Sequence, residues 1–443
     1  MTQGVIWKQL LLFALPLMVG NVFQQLYNTV DSIVVGNFVG KEALAAVGSV
    51  GPIINSLIGF FMGLATGAGV VISQAYGARN DAQVSKAVHT TFLMTFGLCV
   101  IFTVVGILMT PAMLRLMGTP SDVYGQAEDY LKIYFAGVSG LMVYNMGSGV
   151  LRAVGDSRRP LYFLIFSACV NTVLDVVFVA GLNMGIAGAA LATVIAQVLS
   201  AILILVVLAR SQGACQFRFS RLRLDIPSLT GIVRIGMPAA IQMTITSVSN
   251  VFVQSYINSF GSAVMAGWSA YNKIDQFLML PMQSVALAAT TFVGQNYGAG
   301  NLSRVKKGTG TAMKLAMIVT GTLMIPVLLL ARYLVGLFST EAEVIGYGSM
   351  LLRMISPFYL VCCINQICAS SLRGLGNSQA PMVIMLGSFV VFRQIYLFIV
   401  SRTFGTIRAV ALGYPAGWIV CSVILLFYYR MYWKKRAAAA KIT

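Results

Sequence analysis

Two aspartates sit in stretches otherwise suited to hydrocarbon: Asp31 in Tyr27-Asn28-Thr29-Val30-Asp31-Ser32, and Asp175 in Asn171-Thr172-Val173-Leu174-Asp175. An ionisable group at that depth costs roughly 2.5–3.5 kcal/mol on the mildest insertion scale, which makes each a functional candidate. Tyr27 precedes Asp31 by four positions and Asn171 precedes Asp175 by four, so on helices each pair shares a face. Two carboxylates, an amide oxygen and a hydroxyl make an oxygen-rich cage suited to a hard cation. The same two carboxylates could instead share one proton, because like charges repel in a low dielectric. Thr193, about 12 Å from the outer end of its span, lies at the right depth to supply the hydroxyl. The candidate ion-coupling residues are therefore Asp31, Asn171, Asp175, Thr193 and Tyr27, the first four forming a possible Na+ site.

The elements that must position these residues follow from composition. The chain is 58% hydrophobic and 9% charged, against about 25% charged for soluble domains. An integral membrane protein is expected, all-α. Apolar runs between polar breaks place spans near 10–38, 44–75, 88–113, 125–151, 160–182, 186–210, 229–259, 262–297, 308–332, 343–372, 381–404 and 408–431. This reads as an N-terminal six-helix lobe (1–210), a basic linker (211–228), a C-terminal six-helix lobe (229–432) and a basic tail (433–443).

The net charge of +18 would suggest nucleic acid in a soluble chain; here its placement gives topology instead. Arg158, Arg159, Arg218, Arg221, Lys306, Lys307, Lys434 and Lys435 fall in loops of one parity, whereas the opposite loops carry Asp122, Glu128, Asp129, Glu341 and Glu343. The positive-inside rule then puts both termini and the linker in the cytoplasm of a multi-pass cell (plasma or inner) membrane protein. Met1 to Gln9 is short and polar and the apolar run behind it is too long for a signal, so the first span is expected to be retained. Counted from Lys8 and Arg159, Asp31 lies about 34 Å and Asp175 about 24 Å along their helices, both in the outer half of the membrane.

Two short motifs recur at one spacing. Gln74-Ala75-Tyr76-Gly77-Ala78-Arg79-Asn80 returns 221 positions later as Gln295-Asn296-Tyr297-Gly298-Ala299-Gly300-Asn301, and Leu151-Arg152-Ala153-Val154-Gly155 returns at the same distance as Leu372-Arg373-Gly374-Leu375-Gly376. One unchanged offset across two motifs implies that the whole half is duplicated, as in many secondary transporters. Moving Asp31 and Asp175 by the same offset lands on Phe252 and Tyr396, so the acid pair belongs to one lobe alone.

The second half carries Lys273, Asp275, Arg353 and Arg393 roughly ten residues into their spans, with Gln242, Asn250 and Gln283 as uncharged polar neighbours. These residues suit either a pocket for an anionic group on a substrate or an internal ion-pair network around Asp275. Enzyme chemistry has little to work with. His89 is the single histidine, no nucleophile–base constellation is present, and the seven cysteines lack CxxC or His-linked spacing. Glycines such as Gly67 and Gly69 read as helix packing, since no Walker lysine follows; ATP is not the expected energy source and no cofactor is implied.

At this point the residues resemble a known family. Pro16 fifteen positions before Asp31, the Val30-Asp31-Ser32 segment, Gly36, the run Gly40-Lys41-Glu42-Ala43-Leu44-Ala45-Ala46-Val47-Gly48, Asn171 four before Asp175, and the twin motifs are together similar to the multidrug and toxic compound extrusion (MATE) family, over essentially the whole chain. The resemblance implies a V-shaped bundle of two six-helix lobes and an antiporter expelling organic, often cationic, compounds in exchange for Na+ or H+. In the subgroup with a cation site in the first lobe, the ligands fall on Asp31, Asn171, Asp175 and Thr193, all of the expected type. That subgroup also implies a bend of the first span at its proline, here Pro16, and a proline removes a helix hydrogen bond whether the kink is static or mobile.

The expected activity is thus cation-coupled efflux of small organic compounds by alternating access, with membrane lipids as surroundings and neither nucleic acid nor ATP as partner. A flippase for a lipid-linked precursor, or an exporter of an anionic metabolite, is the alternative, and would use the basic residues of the second half. A channel is opposed by the lack of a ring-forming filter in one duplicated chain.

Overall fold

The computed structural model describes residues 1–439. Among them every regular element is helical, and ten helices are long and apolar enough to cross a membrane. The first half runs α1 (Ile6–Val34), α2 (Lys41–Gly77), α3 (Asp81–Leu116), α4 (Ser121–Ala136), α5 (Val138–Ala153), α6 (Arg158–Asp175) and α7 (Gly185–Arg210). The second runs α8 (Ile226–Asn258), α9 (Ser262–Gly298), α10 (Leu302–Leu329), α11 (Ala331–Gly336), α12 (Ala342–Ile355), α13 (Tyr359–Gly374), α14 (Gln379–Leu386), α15 (Arg393–Thr403), α16 (Ile407–Ala411) and α17 (Gly413–Ala439).

The duplication is written into helix starts. α2, α3, α4, α5 and α6 begin at 41, 81, 121, 138 and 158; α9, α10, α12, α13 and α14 begin 221 residues later at 262, 302, 342, 359 and 379. The local chemistry repeats with it. Asn80 caps α3 by accepting the Gln83 amide at 3.0 Å, and Asn301 caps α10 by accepting the Arg304 amide at 3.1 Å. Each cap satisfies one amide that the helix start leaves unpaired. The turn before it needs a left-handed residue, Arg79 (φ 55°) in one copy and Gly300 (φ 73°) in the other.

Three helices widen into π-helical turns. α1 continues as Val35–Val39 and closes with Gly40 donating to the Val35 carbonyl, five residues back, at 3.2 Å. α6 continues as Val176–Gly181, directly after Asp175, and α14 as Gly387–Phe392. Such turns insert a residue into the helix and re-aim the side chains beside it.

The described chain forms two compact units, Leu15–Ala240 and the segment Met1–Ala14 together with the chain from Ile241 onward. In the first, α2 packs on α5, and α5 and α6 pack on α7; in the second, α9 packs on α10, α12 and α13, and α13 on α17. The unit boundaries fall inside α1 and α8, one residue before Leu15-Pro16 and two residues after Pro238. On α3, Val100, Val104 and Leu108 form an exposed apolar stripe at helical spacing, the face a membrane helix gives to lipid.

The segment 211–225 lies along α3. Phe217 is buried at 1% exposure against Phe92, with ring centroids 4.7 Å apart, and near His89 at 5.8 Å. His89 Nδ1 faces the Ser85 carbonyl at 2.7 Å and its Nε2 accepts the Arg218 amide at 3.2 Å. Those two contacts make His89 a structural post for the linker.

Candidate ion site and the polar residues of the second unit

Gly20 of α1 lies against Leu161 and Leu164 of α6: a Cβ there would stand 3.3 Å from the Leu164 side chain. From that contact Asp31 is eleven residues further along α1, and Asp175 eleven residues past Leu164 on α6. Both carboxylates therefore rise about 16 Å from the crossing and arrive at one level. Their carboxyls come within hydrogen-bonding reach of each other. A hydrogen bond between two carboxyls requires one of them to carry a proton.

Asn171 and Asp175 are buried, at 2% and 0% exposure, and Thr193 of α7 is buried beside them. With its amide oriented by its neighbours, Asn171 donates to Asp175 Oδ2 at 3.2 Å and accepts the Thr193 backbone amide at 3.3 Å. Asp31 Oδ1 and Asp175 Oδ1 each remain without a hydrogen-bond partner. Two carboxylates with free oxygens, one amide and one hydroxyl fit a single proton or a monovalent cation. Neither aspartate makes an ion pair among the described residues, so no built-in cation already satisfies them.

Tyr27 and Tyr130 of α4 lie within electrostatic range of both aspartates and of Tyr134, whose hydroxyl bonds Gln197. Tyr130 and Tyr134 are the residues that sequence reading passed over. Their signal was an i, i+4 pair of tyrosines in α4, which reads like ordinary core until the helices are assembled.

In the second unit the structure separates the polar residues into groups. Arg393, 4% exposed, donates to Ser249 Oγ and Asn250 Oδ1, each at 2.9 Å, and lies 4.7 Å over the Tyr414 ring. Arg373, 7% exposed and absent from the sequence-based candidates, donates to Gln242 Oε1 at 2.6 Å. Asp275 accepts hydroxyl hydrogen bonds from Tyr271 and Tyr359. No ion pair joins Asp275 to Lys273, Arg353 or Arg393 among the described residues. Lys273 is exposed, 5.3 Å over the Phe338 ring, Gln283 is exposed, and Arg353 opens on a separate surface cavity.

A model of the MatE family matches residues 16–177 and again 238–399, one copy in each half of the duplication. The chain belongs to the MatE family. It is a multi-pass membrane transporter of that family, not an enzyme. Among MatE relatives, the probable multidrug resistance protein YoeA of Bacillus subtilis is 32% identical, the match covering 97% of this chain and 95% of that one. A transporter of Pyrococcus furiosus, described as having a binding pocket of reverse polarity that suggests a different function, superposes with a TM-score of 0.92 at 25% identity, covering 100% of this chain and 98% of that one. A multidrug resistance MATE family transporter solved in an outward-facing conformation superposes at 0.91, also at 25% identity, with the same coverage. The MatE fold and the multidrug relatives agree with the family expected from the sequence motifs.

Proposed function

We propose that this protein is a cation-coupled antiporter that exports small organic compounds across the cell membrane by alternating access, with both termini and the 211–228 linker in the cytoplasm and twelve spans in two six-helix lobes. The observation that carries the reading is the meeting of Asp31 and Asp175 with Asn171 and Thr193, a site with no basic partner among the described residues and with an unpaired oxygen on each acid. Such a site gives the differential affinity that coupling needs: wet in one state, it takes up Na+ or H+; closed in the other, it holds the ion only if the charge is balanced. The multidrug names of the relatives support organic compounds as the exported class.

Pro16 is the proposed hinge. Its ring removes the hydrogen bond to the Leu12 carbonyl, and it stands at the point where α1 passes from one compact unit to the other. Bending α1 there would move Asp31 relative to Asp175, which links ion occupancy to shape.

The test is transport into proteoliposomes with Na+ and pH gradients imposed independently. Export driven by either gradient and abolished by Asp31→Asn supports the mechanism; ion-driven export that survives in full in Asp31→Asn ends it. A second reading, export of an anionic metabolite or a lipid-linked precursor, is favoured by Arg373 and Arg393, two buried guanidiniums whose hydrogen-bond partners are all neutral. In that case Arg393→Ala removes transport of an anionic probe and leaves ethidium-type cations unaffected.

A further inference from the structure

A cavity of about 540 Å³ opens on the surface of the second unit, lined by Arg332, Gly346, Ser349, Met350, Arg353, Met354 and Arg408. Gly346, Ser349, Met350, Arg353 and Met354 make one face of α12, two turns long. Arg332 is the second residue of α11, where α10 has ended, and Arg408 the second residue of α16, so both stand in first turns at helix ends. All three arginines are exposed, no carboxylate lines the cavity, and none of the three forms an ion pair among the described residues. Among the described residues Arg408 Nε reaches the Met350 sulfur alone, at 3.1 Å, a weak acceptor for a full positive charge.

The duplication supplies an internal control. Arg353 corresponds to Lys132 of α4, 221 positions earlier, and Lys132 is neutralised by Glu128 at 2.7 Å. The positions of Glu128 and Asp129 are occupied in the second unit by Ser349 and Met350, and those of Pro111 and Ala187 by Arg332 and Arg408. The same place in the fold has changed from two acids and one base to three bases and no acid.

The surroundings identify the ligand. Leu329, Leu330 and Tyr333 beside Arg332, and Phe404 near Arg408, are large exposed apolar residues, at 72%, 48%, 77% and 70%, as on a lipid-facing surface. Within the cavity the guanidiniums are accompanied by two methionines. Guanidinium forks recognise phosphate, methionine accommodates varied apolar shape, and arginines at helix ends stand at headgroup level. We propose that this cavity is a binding site for the phosphate headgroup of an anionic phospholipid, with the Met350 and Met354 wall against the start of its acyl chains. The bound lipid neutralises the arginines and braces α12 against α11 and α16.

The experiment uses the full chain, purified and delipidated, titrated with dioleoylphosphatidylglycerol or dioleoylphosphatidylcholine and read by native mass spectrometry. Phosphatidylglycerol binds preferentially. Arg332→Gln, Arg353→Gln and Arg408→Gln each weaken it about fivefold, and the triple variant by on the order of a hundredfold. Ser349→Glu with Met350→Asp restores the acids of the first unit, keeps every arginine, and weakens phosphatidylglycerol at least about tenfold, whereas Lys132→Gln leaves it unchanged. Equal binding of the two lipids by the unaltered protein, or undiminished phosphatidylglycerol binding in both the triple and the acid-restored variants, overturns the proposal. Displacement of phosphatidylglycerol by millimolar inorganic phosphate also overturns it, by showing that the site takes a soluble phosphate instead.

Discussion

Asp31 of α1 and Asp175 of α6 meet carboxyl to carboxyl, brought level by two helices that cross at Gly20 and Leu164 and then climb by equal numbers of residues. The equal climb makes the pair sensitive to the path of α1. In the proposed mechanism, a bend between Pro16 and Asp31 would alter the separation of the acids, and the charge on the acids would alter the energy of the bend. Coupling between ion and shape would then need no further residue.

Substitutions around the pair should separate binding from coupling. Asp175→Asn removes one of the two carboxyls that would together hold the proton or cation, and ion-driven transport should fall to the level of passive exchange while the protein remains folded. Asn171→Leu and Thr193→Val remove neutral ligands and should lower apparent ion affinity by about 10–100-fold, the range for lost supporting ligands, with the maximal rate less affected. Initial rates measured against Na+ and against pH would show this; a change in maximal rate alone in Thr193→Val would count against its role as a ligand.

What the sequence made legible was whatever repeats or is costly. The 221-residue period showed the duplication that the helix starts follow, because the caps Asn80 and Asn301 and the left-handed turns are local and are copied with the motif. The acid pair was visible through its cost in hydrocarbon. Less visible was anything set by assembly: Tyr130 and Tyr134 look like core until the folded α4 brings them into the electrostatic surroundings of Tyr27 and the two aspartates, and Arg373 lay hidden inside a motif that served only to mark the duplication. The charges of the second half looked like one group by depth, but Asp275 is bonded by tyrosines, Arg393 by Ser249 and Asn250, and Arg353 faces another way, because helix azimuth is not fixed by depth. The breaks at Gly137 and at Ser356–Phe358, whose last residue lies 221 positions after Gly137, were read as continuous helix, since hydropathy does not register a break of one to three residues.

Pro16 and Pro238 make a paired prediction. Each lies within two residues of the place where its helix passes from one compact unit to the other. Pro16→Ala restores the backbone donor and should slow the conformational step, lowering turnover several-fold with little change in ion affinity. Pro238→Ala should slow turnover without changing ion dependence, because α8 carries no acid of the pair. Turnover in proteoliposomes paired with ion titration distinguishes them; unchanged turnover in both variants would show static kinks.

The linker has its own pH dependence. Asp225 Oδ2 accepts the Ser228 hydroxyl at 2.6 Å and the Ser228 amide at 3.1 Å, and its other oxygen lies 3.7 Å from Lys86 Nζ. The Ser228 hydroxyl first, and then the Ser228 amide and Lys86, hold the carboxyl below its ordinary value. The folded state thus prefers the charged form. This stabilisation is complete above the unfolded value, near 4, and is lost as pH falls through the lower folded value, about 4 being the ordinary carboxyl pKa. Hydrogen exchange at the Ser228 amide, corrected for intrinsic rate, should accelerate at acid pH in the parent protein; in Asp225→Asn it should be fast at neutral pH and nearly pH-independent. Identical protection in the two proteins across that range would remove Asp225 from the attachment.

Close backbone packing within the first unit gives the last prediction. A Cβ on Gly63 of α2 would fall 2.3 Å from the Ala240 nitrogen and 2.4 Å from its Cα, and one on Gly67 would fall 2.5 Å from the Gly236 Cα. Backbone cannot yield as a side chain does, so α2 and the early part of α8 would have to part. Gly63→Ala and Gly67→Ala should each cost about 1–3 kcal/mol by overpacking, seen as a lower unfolding temperature in detergent. Gly125→Ala, where a Cβ meets nothing within 4 Å, should be neutral or stabilising by up to about 1 kcal/mol. The two packed glycines lie opposite the segment of α8 that surrounds Pro238. If that segment must stay fixed for α8 to bend beyond it, Gly63→Ala should also slow turnover in membranes where the folded fraction is unchanged. A variant that loses stability but keeps full turnover per folded molecule would show that the contact serves the fold alone.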